Sequence, residues 1–331
     1  MRGVTLTLAA MTAAAFGLQP ALAQDAAKPS FRIEAWNYAI IDPVTPNVGT
    51  GHGATLTGTL PVSDDLSLGA DLTLEVTTDL GAGVVALSTP EVVLRAASVM
   101  AGTFEILDAG TALGTSCVMP TGGSSNFTTE DLMSFGTCTG YSAGSSLLYT
   151  SPAMSGVTVY LSAMADPLNH VAVGDVDTAI SAALGFEQEL GDAKLTASVG
   201  IDKALSLKGG GGPLPTLFQA GANIAWTNWS VGAAGQFEKD SIAGGDSWSI
   251  GTGASVNITE PWALMAEAAV SGYQSGGTPN TQYSLGLVTQ YEVVKDVLWL
   301  DASLNSTYTD AGGVGTTAYS VGLGTYVAHD F

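Results

Sequence analysis

Apolar and polar residues alternate with period two along most of this chain, the mark of extended strands whose two faces meet different surroundings. Leu66, Leu68, Ala70, Leu72, Leu74 and Val76 alternate with Ser67, Gly69, Asp71, Thr73, Glu75 and Thr77. Trp248, Ile250, Thr252, Ala254 and Val256 do the same against Ser247, Ser249, Gly251, Gly253 and Ser255, and so do Leu298, Leu300, Ala302 and Leu304 against Trp299, Asp301, Ser303 and Asn305. The pattern predicts sixteen strands, at 31–40, 50–60, 66–77, 91–98, 102–108, 145–151, 156–164, 178–187, 193–201, 216–226, 229–238, 246–257, 263–273, 281–291, 297–308 and 316–331. Short turns such as 61–65, 227–228, 258–262 and 292–296 follow every even strand. Longer stretches rich in Gly, Asp, Ser or Pro, including 165–177 and 203–215, follow every odd one.

Composition decides what those two faces meet. The chain is 46% apolar but only 12% charged, where a soluble domain this apolar would carry about twice that charge. Much of its surface therefore faces something other than water. Past the first residues, no apolar run is long enough for a helical span. A membrane protein without spanning helices has to be a closed barrel, because only closure satisfies every backbone group in lipid. Eleven strand residues at about 3.3 Å each, tilted near 40°, cross an outer-membrane apolar band. The expected fold is thus all-β: a transmembrane antiparallel barrel of about sixteen strands, with short periplasmic turns, long extracellular loops and both termini in the periplasm.

The N-terminus reads as an address. Arg2, the apolar stretch Val4 to Leu18 and Ala21-Leu22-Ala23 before Gln24 form a signal peptide over 1–23, leaving 24–331 as the barrel. A soluble sandwich rarely carries sixteen strands, and no fixed period marks a solenoid. Trp226, Trp229, Phe237, Trp248, Trp262, Tyr273, Tyr283, Tyr291, Trp299 and Tyr308 cluster near strand ends, where interfacial girdles belong. With 30 acidic against 9 basic residues, nucleic acid is not an expected partner. No Gly-x-Ser-x-Gly, His-Glu-x-x-His or phosphate loop appears, and His52, His170 and His329 are scattered, so neither an enzyme nor a cofactor or metal is expected.

Two segments carry a resemblance. Tyr319, Val321, Leu323, Thr325, Val327, His329 and Phe331 make one face of the last strand, and an ending in His329-Asp330-Phe331 is similar to the closing strand of Gram-negative porins. Tyr149-Thr150-Ser151-Pro152-Ala153-Met154-Ser155-Gly156 resembles the porin pattern in which a strand ends, Ser-Pro makes the periplasmic turn and Gly opens the next strand. The family resembled is that of the sixteen-stranded Gram-negative general diffusion porins, of alphaproteobacterial type. The resemblance implies an outer-membrane location, a homotrimer of separate water-filled pores and Phe331 as the signal read by the barrel-assembly machinery. It also implies a third outside loop folded inward to constrict the pore. Lipid and lipopolysaccharide would surround the barrel, and small hydrophilic solutes and ions would pass through it.

The chain has such a loop. Residues 109–144 form its longest connector, and a structureless stretch of that length needs a functional reason. Cys117 and Cys138 lie within it, and in an oxidising compartment a disulfide between them is expected, worth ~3 kcal/mol through chain entropy. Glu105 and Asp108 at the end of strand five, Glu130 and Asp131 in the loop, and Asp71 and Glu75 on strand three are the acidic candidates for the constriction. Arg32 and Arg95 are the basic ones. By alternation Glu267 and Asp301 also face inward. The acidic excess predicts a cation-preferring channel. A substrate-specific porin and a non-conducting structural or adhesin barrel are the alternatives.

Overall fold

The structure is a computed structural model that describes residues 28–43, 47–79, 84–87, 90–108, 110–120, 140–141, 145–165, 175–241, 245–275 and 278–331. Its strands are β1 (Ser30–Asp42), β2 (Asn47–Pro61), β3 (Leu66–Asp79), β4 (Val84–Leu87), β5 (Glu91–Ser98), β6 (Gly102–Leu107), β7 (Ser145–Thr150), β8 (Val157–Ala165) and β9 (Val176–Leu190). They continue with β10 (Ala193–Leu207), β11 (Thr216–Ala225), β12 (Trp229–Lys239), β13 (Ser247–Thr259), β14 (Trp262–Ser275), β15 (Thr278–Val294), β16 (Leu298–Ala311) and β17 (Val314–Asp330). A single short helix, α1 (Ala112–Ser116), stands among them in the described residues.

Each strand pairs antiparallel with its chain neighbours, and β1 pairs with β17 from Arg32 opposite Asp330 to Ile41 opposite Val321. The ring is therefore closed and has no free edge. It has sixteen positions, because β4 and β5 share one. The upper part of β3, Val76 to Asp79, pairs with β4, and its lower part, Leu66 to Thr73, pairs with β5. Pro90 lies in the break between them, where its missing N–H interrupts no ladder. The alternation signal found the β5 half alone.

The burial pattern is inside out. Leu285, on the outer face of β15, is 62% exposed, while Ser303 on the inner face of β16 is 2% exposed. Serine, asparagine and glutamine populate the buried side of the strands and large apolar side chains the exposed side. Trp229, Trp262 and Tyr291 lie at the lower ends of their strands and Phe237, Trp248, Tyr283 and Tyr308 toward the upper ends, all exposed on the outer face. They form the two girdles expected of an outer-membrane barrel. Trp299 and Tyr273 depart from that expectation. Their parity points them inward, opposite Tyr326 and Asn280 respectively.

The strands run longer than the alternation indicates. β14 ends at Ser275 and β15 starts at Thr278, and only Gly312-Gly313 separates β16 from β17. Two connectors expected to be long outside loops are thus as short as the turns. Beyond the apolar band both faces of a strand meet water, so hydropathy stops alternating while the ladder continues. The Ser-Pro turn forms as the sequence indicates. Ser151 Oγ accepts from the Val159 amide at 2.9 Å, and Gly156 sits at φ +83° before β8. A Cβ on Gly156 would strike the Glu187 carbonyl of β9, so glycine answers both the backbone angle and the close approach.

Candidate functional site

The inner wall is the surface that strand parity keeps away from lipid, and it carries two distinct arrangements. On β3, β5 and β6, Arg95 joins two of the expected carboxylates. Its Nη2 lies 3.0 Å from Asp71 Oδ2 and its Nε 2.5 Å from Glu105 Oε1. Register makes this possible, since Arg95 sits directly opposite Glu105 and opposite Gly69, two residues below Asp71 on the same face. Glu75 follows on that face of β3. Two carboxylates around one guanidinium leave the cluster net negative.

The other expected residues lie elsewhere. Arg32 faces inward near the lower rim, bonded to Glu34 at 2.8 Å and to Asp330 at 3.5 Å. Asp108 is exposed at the upper end of β6, where its Oδ2 accepts from the Val92 amide at 2.7 Å and closes the top of the β5–β6 ladder. Glu130, Asp131 and Cys138 lie outside the described residues, as do the signal segment and most of the 109–144 connector. Cys117 is not a free thiol.

The described ends of that connector lie against the inner wall of β8 to β12. Thr111 caps α1 through its Oγ1, which accepts from the Gly114 amide at 2.9 Å. The two donors before it in this first turn, which a helix start leaves without partners, are satisfied by the barrel. The Ala112 amide donates to Ser162 Oγ on β8 at 2.9 Å, and the Leu113 amide to Ser181 Oγ on β9 at 3.0 Å. Further along, Asn223 Nδ2 of β11 donates to the Pro120 carbonyl at 3.0 Å. The returning limb meets the same wall. The Tyr141 amide donates to Asp202 Oδ2 of β10 at 3.0 Å and its hydroxyl to Glu238 Oε1 of β12 at 3.1 Å. Burial, followed by the negative charge of Glu238, pushes the Tyr141 hydroxyl well above its usual range, so it remains a donor.

Three inward glycines make room for this path. A Cβ at Gly200 would stand 2.7 Å from Leu113 Cδ1, one at Gly221 2.7 Å from the Val118 carbonyl, and one at Gly232 2.7 Å from the Pro120 carbonyl. Register sets them on a diagonal, with Gly221 opposite Ser198 and Gly232 opposite Asn223. Gly232→Val is expected to push the 118–120 segment off the wall at a cost of ~1–3 kcal/mol in docking. Faster amide hydrogen exchange confined to that segment is the readout.

Asp202 is the residue that the sequence reading missed. It is fully buried, its Oδ2 accepts from the Tyr141 amide at 3.0 Å, and the hydroxyls of Ser181 and Thr111 lie beside it. Both limbs of the connector therefore meet at one carboxylate. A further inward feature is an aromatic row, Trp299, Tyr326 and Trp36 on neighbouring strands, with Trp299 and Tyr326 ring centres 5.4 Å apart.

A closed antiparallel ring with an apolar outer belt, two aromatic girdles and a polar interior is an integral outer-membrane β-barrel. No family model matches the chain, and no curated protein matches it. Solved structures do. Outer-membrane expressed OmpT of Vibrio cholerae is similar over 93% of this chain and 99% of its own, at 14% identity and TM-score 0.64. An anion-selective porin from Comamonas acidovorans is similar over 92% and 100%, at 15% identity and TM-score 0.60. Pseudomonas aeruginosa OccK5 (OpdH) is similar over 92% and 98%, at 12% identity and TM-score 0.58. At these identities the likeness is one of fold.

Proposed function

We propose that the protein is a porin of a Gram-negative outer membrane, a water-filled channel for passive diffusion of small hydrophilic solutes and ions, with a preference for cations. The observation that carries the reading is the inner wall. It is lined with Ser, Asn, Gln, Gly and carboxylates, and the described ends of the third connector are tied to part of it by hydrogen bonds. A sixteen-stranded ring is wide enough to hold water, whereas eight strands are filled by side chains. The 109–144 connector is the constriction in this reading, with Glu130 and Asp131 added to the Asp71, Glu75, Arg95 and Glu105 wall and held by a Cys117–Cys138 bridge.

Cation preference follows from the distribution of charge. Between residues 240 and 331 the only Lys or Arg is Lys295, in the turn after β15, where it faces Glu260 at 3.5 Å. The inner wall of β13 to β17 thus holds Glu267 and Asp301 without a lumenal Lys or Arg. Confined carboxylates raise the local cation concentration. The purified chain in a planar bilayer is expected to conduct and, under a KCl gradient, to show a reversal potential of cation sign. A potential of anion sign would overturn the preference, and absence of conductance the pore.

A homotrimer fits one feature of the outer face. Asn37 on β1, His52 on β2 and Thr325 on β17 point outward at mid-strand and bond to one another, at 2.7 Å between His52 and Asn37 and 3.4 Å between Asn37 and Thr325. Such a polar group is costly against lipid and suits contact with another subunit. Phe331 is exposed beside His329, its amide donating to the Phe31 carbonyl at 2.8 Å, and is the proposed assembly signal.

A further inference from the structure

The geometry points to a binding site for one compact monocation on the inner wall, between Glu267 of β14 and Asn305 of β16. The inference rests on the pore reading above, because the ligand has to arrive through the lumen. Register places Gly253, Glu267, Gly286, Asn305 and Ser320 side by side on five successive strands. Two inter-strand spacings put the Glu267 and Asn305 backbones about 10 Å apart. Gly286 between them has no side chain, so the wall is notched there, with a carboxylate on one flank and a carboxamide on the other.

Four buried polar atoms around the notch have no protein partner. Glu267 is 7% exposed and its Oε1 accepts no hydrogen bond. Asn305 is 8% exposed, with neither its Oδ1 nor its Nδ2 bonded, and the Ser303 hydroxyl, two residues along the same face, is likewise unpartnered. A buried carboxylate calls for a counter-charge. Among the described residues none pairs with Glu267, and the one cationic side chain after residue 239 is Lys295, engaged at the turn.

The donor set defines the ligand. One carboxylate balances one positive charge, and among the described residues no three His, Cys, Asp or Glu side chains gather to hold a metal, which argues against a divalent ion. Neutral oxygens from Asn305 and Ser303 suit an alkali ion or the N–H groups of a primary ammonium. These two sources share the chemistry of a compact monocation. Glu267 lies five residues from Trp262 and six from Tyr273, midway along its strand.

The test uses the full-length protein in a planar bilayer, with KCl varied from millimolar to molar. Wild type is expected to saturate, its conductance in dilute KCl exceeding the value scaled from molar KCl by about fivefold. Glu267→Gln should scale linearly, and Asn305→Asp, which adds a carboxylate, should saturate at lower KCl. Ethylammonium chloride that reduces the wild-type potassium current but not that of Glu267→Gln would identify ammonium-bearing solutes as ligands. Saturation without such block would assign the site to alkali ions. A conducting pore in which wild type, Glu267→Gln and Asn305→Asp share one concentration dependence, with no effect of ethylammonium, would overturn the site and leave the pore standing. Absence of all conductance in wild type would overturn the pore reading itself.

Discussion

Asp202→Ala is expected to loosen the third connector, its returning limb above all, and to raise single-channel conductance on the order of twofold, since a wider lumen passes more current. Asp202 is fully buried and receives the Tyr141 amide, with the Thr111 and Ser181 hydroxyls beside it. Hydrogen bonds to a charged acceptor contribute ~1.5–3 kcal/mol each. The Tyr141 amide is such a donor and belongs to the connector, so truncation removes about 1.5–3 kcal/mol of docking. Remaining bonds at Ser162, Ser181 and Asn223 tie down the outgoing limb only. Among the described residues the returning limb then keeps one bond, Tyr141 to Glu238. Asp202→Asn, which preserves shape but not charge, should fall between the two. Conductance and protease cleavage within 121–139 are the measurements. Wild-type values of both in Asp202→Ala would show that the connector is held by something else.

The barrel was legible in the sequence because period-two alternation is imposed by lipid on one side and water on the other, residue by residue. All sixteen positions were located from it. What it could not show lies where that contrast fades. β9 and β10 run past the apolar band to Leu190 and Leu207, and the strand inferred over 193–201 stopped one residue short of Asp202. A weaker continuation was present, with Asp202, Ala204 and Ser206 alternating against Ile201, Lys203 and Leu205. Read through to Leu207, it places an inward carboxylate in the wall. β4 was missed for a related reason. Its four residues, Val84–Leu87, contain no polar alternate.

Long-range register is the second limit. Arg95 and Asp71 are assigned to the lumen by parity and Glu105 to the constriction by its place at the end of strand five, but their meeting depends on how β3, β5 and β6 are offset, which no local pattern states. The Gly200, Gly221 and Gly232 diagonal is similar. Each glycine is visible in the sequence, and the track they make exists only once β10, β11 and β12 are aligned. Trp299 shows the converse. Its position near a strand end suggested a girdle, while the alternation from Leu298 already turned it inward, and the structure follows the alternation.

The division of the strands into a lipid face and a water face makes a second large effect predictable on one strand. Leu304 and Thr307 lie three residues apart on β16 and project to opposite sides, Leu304 exposed on the belt below Tyr308 and Thr307 inward beside Ser284. Leu304→Arg places a guanidinium in hydrocarbon and is expected to destabilise the barrel by ~2–4 kcal/mol, the range for a cation near the bilayer midplane. Thr307→Arg places the same group in the lumen, where water solvates it, and should leave stability within about 0.5 kcal/mol. It should instead lower the cation preference, because this wall holds no other Lys or Arg. Denaturant midpoints of the barrel folded into lipid vesicles measure the first effect, and reversal potentials the second. The control built into the pair is chemical: one side chain type on one strand. Equal destabilisation by both substitutions would mean that the two faces of β16 see the same solvent, and neither an apolar belt nor an aqueous interior could then be assigned to it.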